Sequence, residues 1–121
     1  MDYESSLHQN TEIFDYVSFK KRMLDEEEIV KHIISGILDR MPGMIDELKE
    51  FVEQGDVNEA GRQAHKIKGA AANLGCELFR KAALRIELAA KSGGIDRITE
   101  LMPNFEMEWE RLKTVLQEAL S

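Results

Sequence analysis

Apolar residues recur along most of the chain every three or four positions, the spacing of one face of an α-helix. Ile29, Ile33, Ile37, Met41, Ile45, Leu48 and Val52 keep this rhythm and predict a long helix to about Gln54, closed by Gly55. Asp25 reads as its N-cap, with Glu26, Glu27 and Glu28 in the first turn, where the helix dipole favours negative charge. Pro42 lies inside this run and is expected to kink or break it. A second helix is predicted from Val57 to Leu74, capped by Asp56 and stopped by Gly75, with a core stripe of Ala60, Ala64, Ile67, Ala71 and Leu74. A third, about Leu78 to Lys91, turns Leu78, Phe79, Ala82, Ala83, Ile86, Ala89 and Ala90 inward. A fourth runs from about Ile95 to Ala119 through Ile98, Leu101 or Met102, Phe105, Trp109, Leu112 and Leu116, with a kink expected near Pro103. A short helix from about Tyr16 to Met23 precedes them and buries Phe14, Val17 and Met23. No stretch alternates polar and apolar for long, and no Asn-Gly or Asp-Gly hairpin signal occurs. The expected fold is all-α: an antiparallel up-and-down four-helix bundle with a short additional N-terminal helix. Residues 1–12 read as a loose tail or linker remnant and 13–121 as the one bundle domain.

Composition narrows the function. At 121 residues, with 43% apolar and 32% charged side chains, the chain suits one folded domain and is neither a disordered tail nor a membrane protein. The longest uncharged stretch near its middle, Gly69 to Cys76, is far short of the roughly 20 apolar residues of a membrane span. A lone cysteine, Cys76, cannot form an internal disulfide, and no signal-peptide pattern opens the chain, so a cytoplasmic location is expected. The net charge of −7 argues against nucleic acid as a partner. That charge is uneven. Residues 1–60 carry 15 acidic and 6 basic side chains, whereas residues 61–91 carry 7 basic ones against only Glu77 and Glu87. Such a basic island suits an acidic protein partner.

The candidate chemistry centres on His65. On the helical wheel of Val57 to Leu74 it lies well off the core stripe, on a ledge of small residues that includes Gly61, Gly69 and Ala72, with Lys68 one turn on. Glycine inside a helix costs about 1 kcal/mol relative to alanine, so on an outward face it suits close approach by another molecule; tight packing within the bundle is the other explanation. A neutral imidazole is nucleophilic and forms a labile P–N bond, and a nearby lysine can stabilise phosphoryl oxygens as a point charge. His8 in the tail and His32 beside the apolar stripe of the first long helix read as surface or boundary residues. No His, Cys and carboxylate spacing suits a metal, so neither metal nor cofactor is expected. Met23, Met41, Met44, Met102 and Met107 read as core filler.

The stretch Ala64 to Gly93 resembles the signature of histidine phosphotransfer (HPt) domains: His65, then Lys68-Gly69, small residues, Asn73-Leu74-Gly75, Leu78, and a final Ile86-Glu87 pair. Ala70 and Ala71 stand where the family often has serine. The resemblance implies a phosphorelay intermediate without its own kinase or ATP site. It would accept a phosphoryl group on His65 from a receiver-domain aspartate and pass it to another receiver. It implies response-regulator receiver domains as partners, with a hybrid sensor histidine kinase as a further one, and a monomer without membrane insertion. Glu87, 22 residues after His65 on the next helix, is expected to approach Nδ1 and leave Nε2 as the nucleophile. Gly61, Arg62, Gly69, Ala72 and Leu84 are the candidate receiver-docking residues, Leu84 because it falls opposite the core stripe among Arg80, Lys81 and Arg85. Two other readings stay open on the residues alone: the phosphoacceptor domain of a chemotaxis-type kinase, and a bundle that only binds or scaffolds.

Overall fold

The computed structural model describes residues 10–121. Five helices follow in order: α1 (Tyr16–Arg22), α2 (Glu27–Glu53), α3 (Val57–Leu74), α4 (Glu77–Ser92) and α5 (Gly94–Leu120). The four long helices pack in sequence, α2 on α3, α3 on α4 and α4 on α5, and α2 closes the ring against α5. Short connections force neighbours to run antiparallel. No described helix is long and apolar enough to cross a membrane. His8 and most of the expected tail lie outside the described residues. The end of that tail is tied down, because the Leu78 N–H donates to the Glu12 carbonyl at 2.9 Å.

Local signals explain the ends of α3. The Asp56 side chain accepts the Glu59 N–H, one of the donors left over at a helix start. Gly75 ends the helix in the left-handed region, φ +82°, where a side chain would be strained. The connection then meets the N-terminal segment, where the Asp15 N–H donates to the Gly75 carbonyl at 3.2 Å. Phe14 and Phe19 pack their rings 5.8 Å apart in the core. At the other side Phe79 of α4 stacks near Phe105 and Trp109 of α5. Cys76 is buried here, which pushes its thiol pKa up to about 12 and leaves it unreactive.

Several expectations need correction. Asp25 does not cap α2. Leu24 and Asp25 both take positive φ, 56° and 59°, and the Asp25 N–H closes α1 on the Lys20 carbonyl. Helix α2 starts after Glu26 with no side-chain cap. Its buried stripe begins at Val30 and Ile34, while Ile29 stays 47% exposed. Pro42 lies inside a continuous α2, so of the kink or break expected there the break does not occur, and Pro103 likewise lies inside a continuous α5. Around Pro42, buried residues on both sides (Ile34 and Ile37, then Met41 and Ile45) tie the two halves to one core, which outweighs the roughly 3 kcal/mol a helical proline costs. In α1 the inward residues are Tyr16 and Phe19, with Val17 exposed and Met23 partly buried. Met107 is also exposed rather than core.

The α3–α4 packing assigns the two central glycines different roles. A Cβ on Gly61 would sit 2.7 Å from the Ala90 Cβ, so the missing side chain is required by the approach of α4. Gly69 has nothing within 4 Å of the same position and is exposed. Gly69→Ala is therefore expected to stabilise the fold by about 0.5–1 kcal/mol. Gly61→Ala is expected to destabilise it by about 1 kcal/mol, since overpacking exceeds the gain in helix propensity. Denaturant midpoints of the two variants check this; a stabilised Gly61→Ala contradicts it.

Candidate functional site

The site sits in the middle of α3 and on the facing side of α4. His65 projects from α3 with its side chain 65% exposed. Glu87, one helix away, is 10% exposed and reaches it across the small-residue seam. Glu87 Oε2 lies 2.7 Å from His65 Nδ1, and its Oε1 accepts the Lys68 ammonium at 2.6 Å. One carboxylate thus receives two donors from α3, one turn apart.

The electrostatics settle the direction of the histidine bond. Lys68 holds the Glu87 pKa below the ordinary carboxylate range; burial pushes the other way, and the His65 bond adds to the lowering. An ionised carboxylate can only accept. Nδ1 therefore carries the hydrogen that occupies the 2.7 Å contact, and in the neutral ring Nε2 keeps its lone pair. Among the described residues nothing bonds Nε2.

A cleft of about 580 Å³ opens beside the ring between the start of α3 and the end of α4. Val57, Gly61 and Ala90 form its apolar floor, and Arg62, Lys66 and Lys91 its cationic rim. Arg62 is paired with Glu59 at 2.8 Å. Lys91 is a wall residue that sequence reasoning counted in the basic island without placing it. The signal was its spacing four residues after Glu87, which puts it on the same face of α4.

The other candidates divide. Gly69 and Ala72 are exposed on the His65 side of α3. Gly61 edges the cleft, but as a packing residue under Ala90 rather than as an open ledge. Leu84 is partly buried one turn before Glu87 and is not part of the packed core, while Leu88 is 50% exposed. Lys68, one turn on from His65 as expected, is 24% exposed and engaged with Glu87. His32 is exposed. Among the described residues no group of His, Cys, Asp and Glu stands close enough together to hold a metal.

Comparison with known proteins follows the same lines. The model of the Hpt domain matches residues 32–120. The chain is 26% identical over 106 residues to the phosphorelay intermediate protein rdeA of Dictyostelium discoideum, covering 88% of this chain and 39% of that protein. It thus spans about two-fifths of the length of this curated relative. No solved structure matches.

The Glu87 pairing makes a pH-dependent contribution of known sign. Its folded pKa is lowered, so the stabilisation is present above the ordinary glutamate pKa and is lost as pH falls through the folded value. Lys68→Met is expected to lower unfolding stability by about 1 kcal/mol at neutral pH, a discounted value for one charge-assisted bond. The gap should narrow as the solution is acidified through the Glu87 transition. Urea titrations across that range measure it; a gap that widens on acidification contradicts the assignment.

Proposed function

The chain belongs to the Hpt domain family, the histidine phosphotransfer domains, and on that premise we propose that His65 is its phosphoacceptor, with Glu87 and Lys68 completing the centre. Proteins of this kind carry phosphoryl groups rather than acting as kinases. The observation that carries the reading is the Glu87 carboxylate 2.7 Å from Nδ1 of a ring that is 65% exposed. It commits one nitrogen to the protein and leaves the other facing outward with its lone pair.

The reaction follows from that arrangement. The Nε2 lone pair attacks the phosphorus of a receiver's aspartyl phosphate. An N–P bond forms, the acyl P–O bond breaks, and the aspartate leaves as a carboxylate. The phosphorylated ring keeps its Nδ1–H and gains positive charge, which the Glu87 carboxylate offsets. A second receiver's aspartate reverses the step: its carboxylate attacks phosphorus, the N–P bond breaks, and the electron pair returns to Nε2. The partners are receiver domains, a hybrid sensor histidine kinase being one source, and the chain works as a cytoplasmic monomer. Exposed Gly69 and Ala72 allow a receiver's active site to reach the ring. Arg62 and the other cations of the cleft steer its acidic pocket, and partly buried Leu84 supplies an apolar edge.

Incubation with a phosphorylated receiver tests this. The wild-type chain is expected to acquire an acid-labile, base-stable phosphate, and His65→Gln to acquire none. Label on His65→Gln at the wild-type rate would falsify the assignment. For docking, Gly69→Leu is expected to slow transfer at least about tenfold with no loss of stability, because it fills the open ledge. Leu84→Asp is expected to weaken receiver binding by about 1–3 kcal/mol, as for an interface anchor. Surface-binding measurements with unchanged melting check both; full binding by either removes that residue from the docking face.

A further inference from the structure

A second hollow, of about 390 Å³, lies between α1, α2 and α3 and shares no lining residue with the cleft beside His65. Its floor is apolar. Phe19 of α1, Ile37 of α2 and Leu74 of α3 are buried there, and Met23 and Ile33 are partly buried against the same core. Leu74 stands about half a turn round α3 from His65, so the hollow is not an extension of the histidine site. Its polar groups are the Arg22 and Arg40 guanidiniums and the Asn73 carboxamide.

The two arginines set this hollow apart. The chain has seven arginines, and Arg62, Arg80, Arg97 and Arg111 are each paired with a glutamate one turn away. Among the described residues Arg22 and Arg40 make no hydrogen bond or ion pair, although acidic side chains outnumber basic ones 23 to 16. Each is nonetheless placed. The Arg22 guanidinium stands 5.6 Å from the centre of the Phe19 ring. Arg40 folds back along α2 over Gly36, where an added Cβ would lie 3.0 Å from Nη1. A glycine in mid-helix costs stability, and here the space it leaves is taken by that guanidinium. Asp39 lines an adjoining hollow that Arg40 also borders, yet makes no bond to it.

We propose that this hollow binds a small amphiphilic carboxylic acid, an alkyl or aryl carboxylate, with its head on Arg22 and Arg40 and its tail on Phe19, Ile33 and Ile37. A guanidinium presents parallel N–H donors that match the two oxygens of a carboxylate. An exposed arginine alone holds a carboxylate weakly, so the apolar floor is needed as well. An apolar lining with a few converging polar groups is the usual make-up of a small-ligand site, and the volume falls within the usual range for one. The net charge of −7 disfavours an anionic membrane surface as the source of the acid. A bound acid touches α1 on one side and α2 and α3 on the other, and so ties the short N-terminal helix to the bundle. The site stands independently of the phosphoacceptor reading.

The test is an NMR titration of the full chain, ¹³C-labelled at its methyl groups, with sodium octanoate and with 4-phenylbutyrate. The methyls of Met23, Ile33 and Ile37 are expected to shift, with half-saturation at about 1 mM, the affinity that ligand efficiencies give acids of this size. Octanol, which lacks the head, and acetate, which lacks the tail, are expected to bind at least about tenfold more weakly. Arg40→Gln is expected to weaken octanoate about tenfold, and Arg22→Gln with Arg40→Gln to abolish saturable binding, while the melting temperature of the free chain is unchanged. Equal binding of octanol and octanoate, full octanoate binding by the doubly substituted chain, or no saturation by either acid overturns the proposal. Shifts confined to Val57 and Ala90 would place the acid in the other cleft and overturn it too. Protection of the Ile33 and Ile37 methyls by a receiver domain, with neither acid binding, would make the hollow a protein contact instead.

Discussion

The arrangement at His65 depends on how closely α3 and α4 approach. Side chains at the contact set the separation of two helices, and here Gly61 meets Ala90, while Ala60 and Ala64 of α3 and Ala83 of α4 are small buried residues of the same helices. A Gly61 side chain would collide with Ala90. Because the seam is tight, a glutamate of ordinary length on α4 spans it and meets both His65 and Lys68. A wider seam would leave the carboxylate short of the ring and the imidazole free to choose its tautomer. The rest of the bundle serves to hold that spacing. Phe79, Phe105 and Trp109 fasten α4 to α5, while the N-terminal segment straps the α3–α4 connection through Glu12 and Asp15.

The site also separates two demands on charge. The partly buried carboxylate is paired with a cation that keeps it ionised, and among the described residues further cations stand free beside the ring. Lys68 is the first of these and Lys66 and Lys91 in the cleft are the others, with His65 between them. The chain as a whole is acidic, so the attraction is confined to this one face.

Much of this was legible in the sequence, and the gaps have physical causes. The caps of α3, its alanine stripe and the Gly75 stop follow from short-range rules that tertiary packing did not overrule. The His65–Glu87 contact followed from spacing on an antiparallel pair. The start of α2 was misread because Ile29 and Val30 are adjacent and equally apolar, so periodicity alone does not choose which one points inward. Asp25 has the chemistry of a cap but is used in a left-handed turn that ends α1. Pro42 does not break α2, because core contacts on both of its sides offset its local cost. Gly61 and Gly69 look alike in sequence and differ only in what stands opposite them. Lys68 could be placed near His65 but not assigned a partner, since a long flexible side chain reaches several.

The most direct measurement of the central claim is the ¹⁵N and ³¹P NMR spectrum of the chain after phosphorylation by a receiver, with its histidines ¹⁵N-labelled. The account predicts a one-bond phosphorus coupling on Nε2 of His65, with the hydrogen still on Nδ1. Coupling on Nδ1, or on no nitrogen of His65, would contradict it.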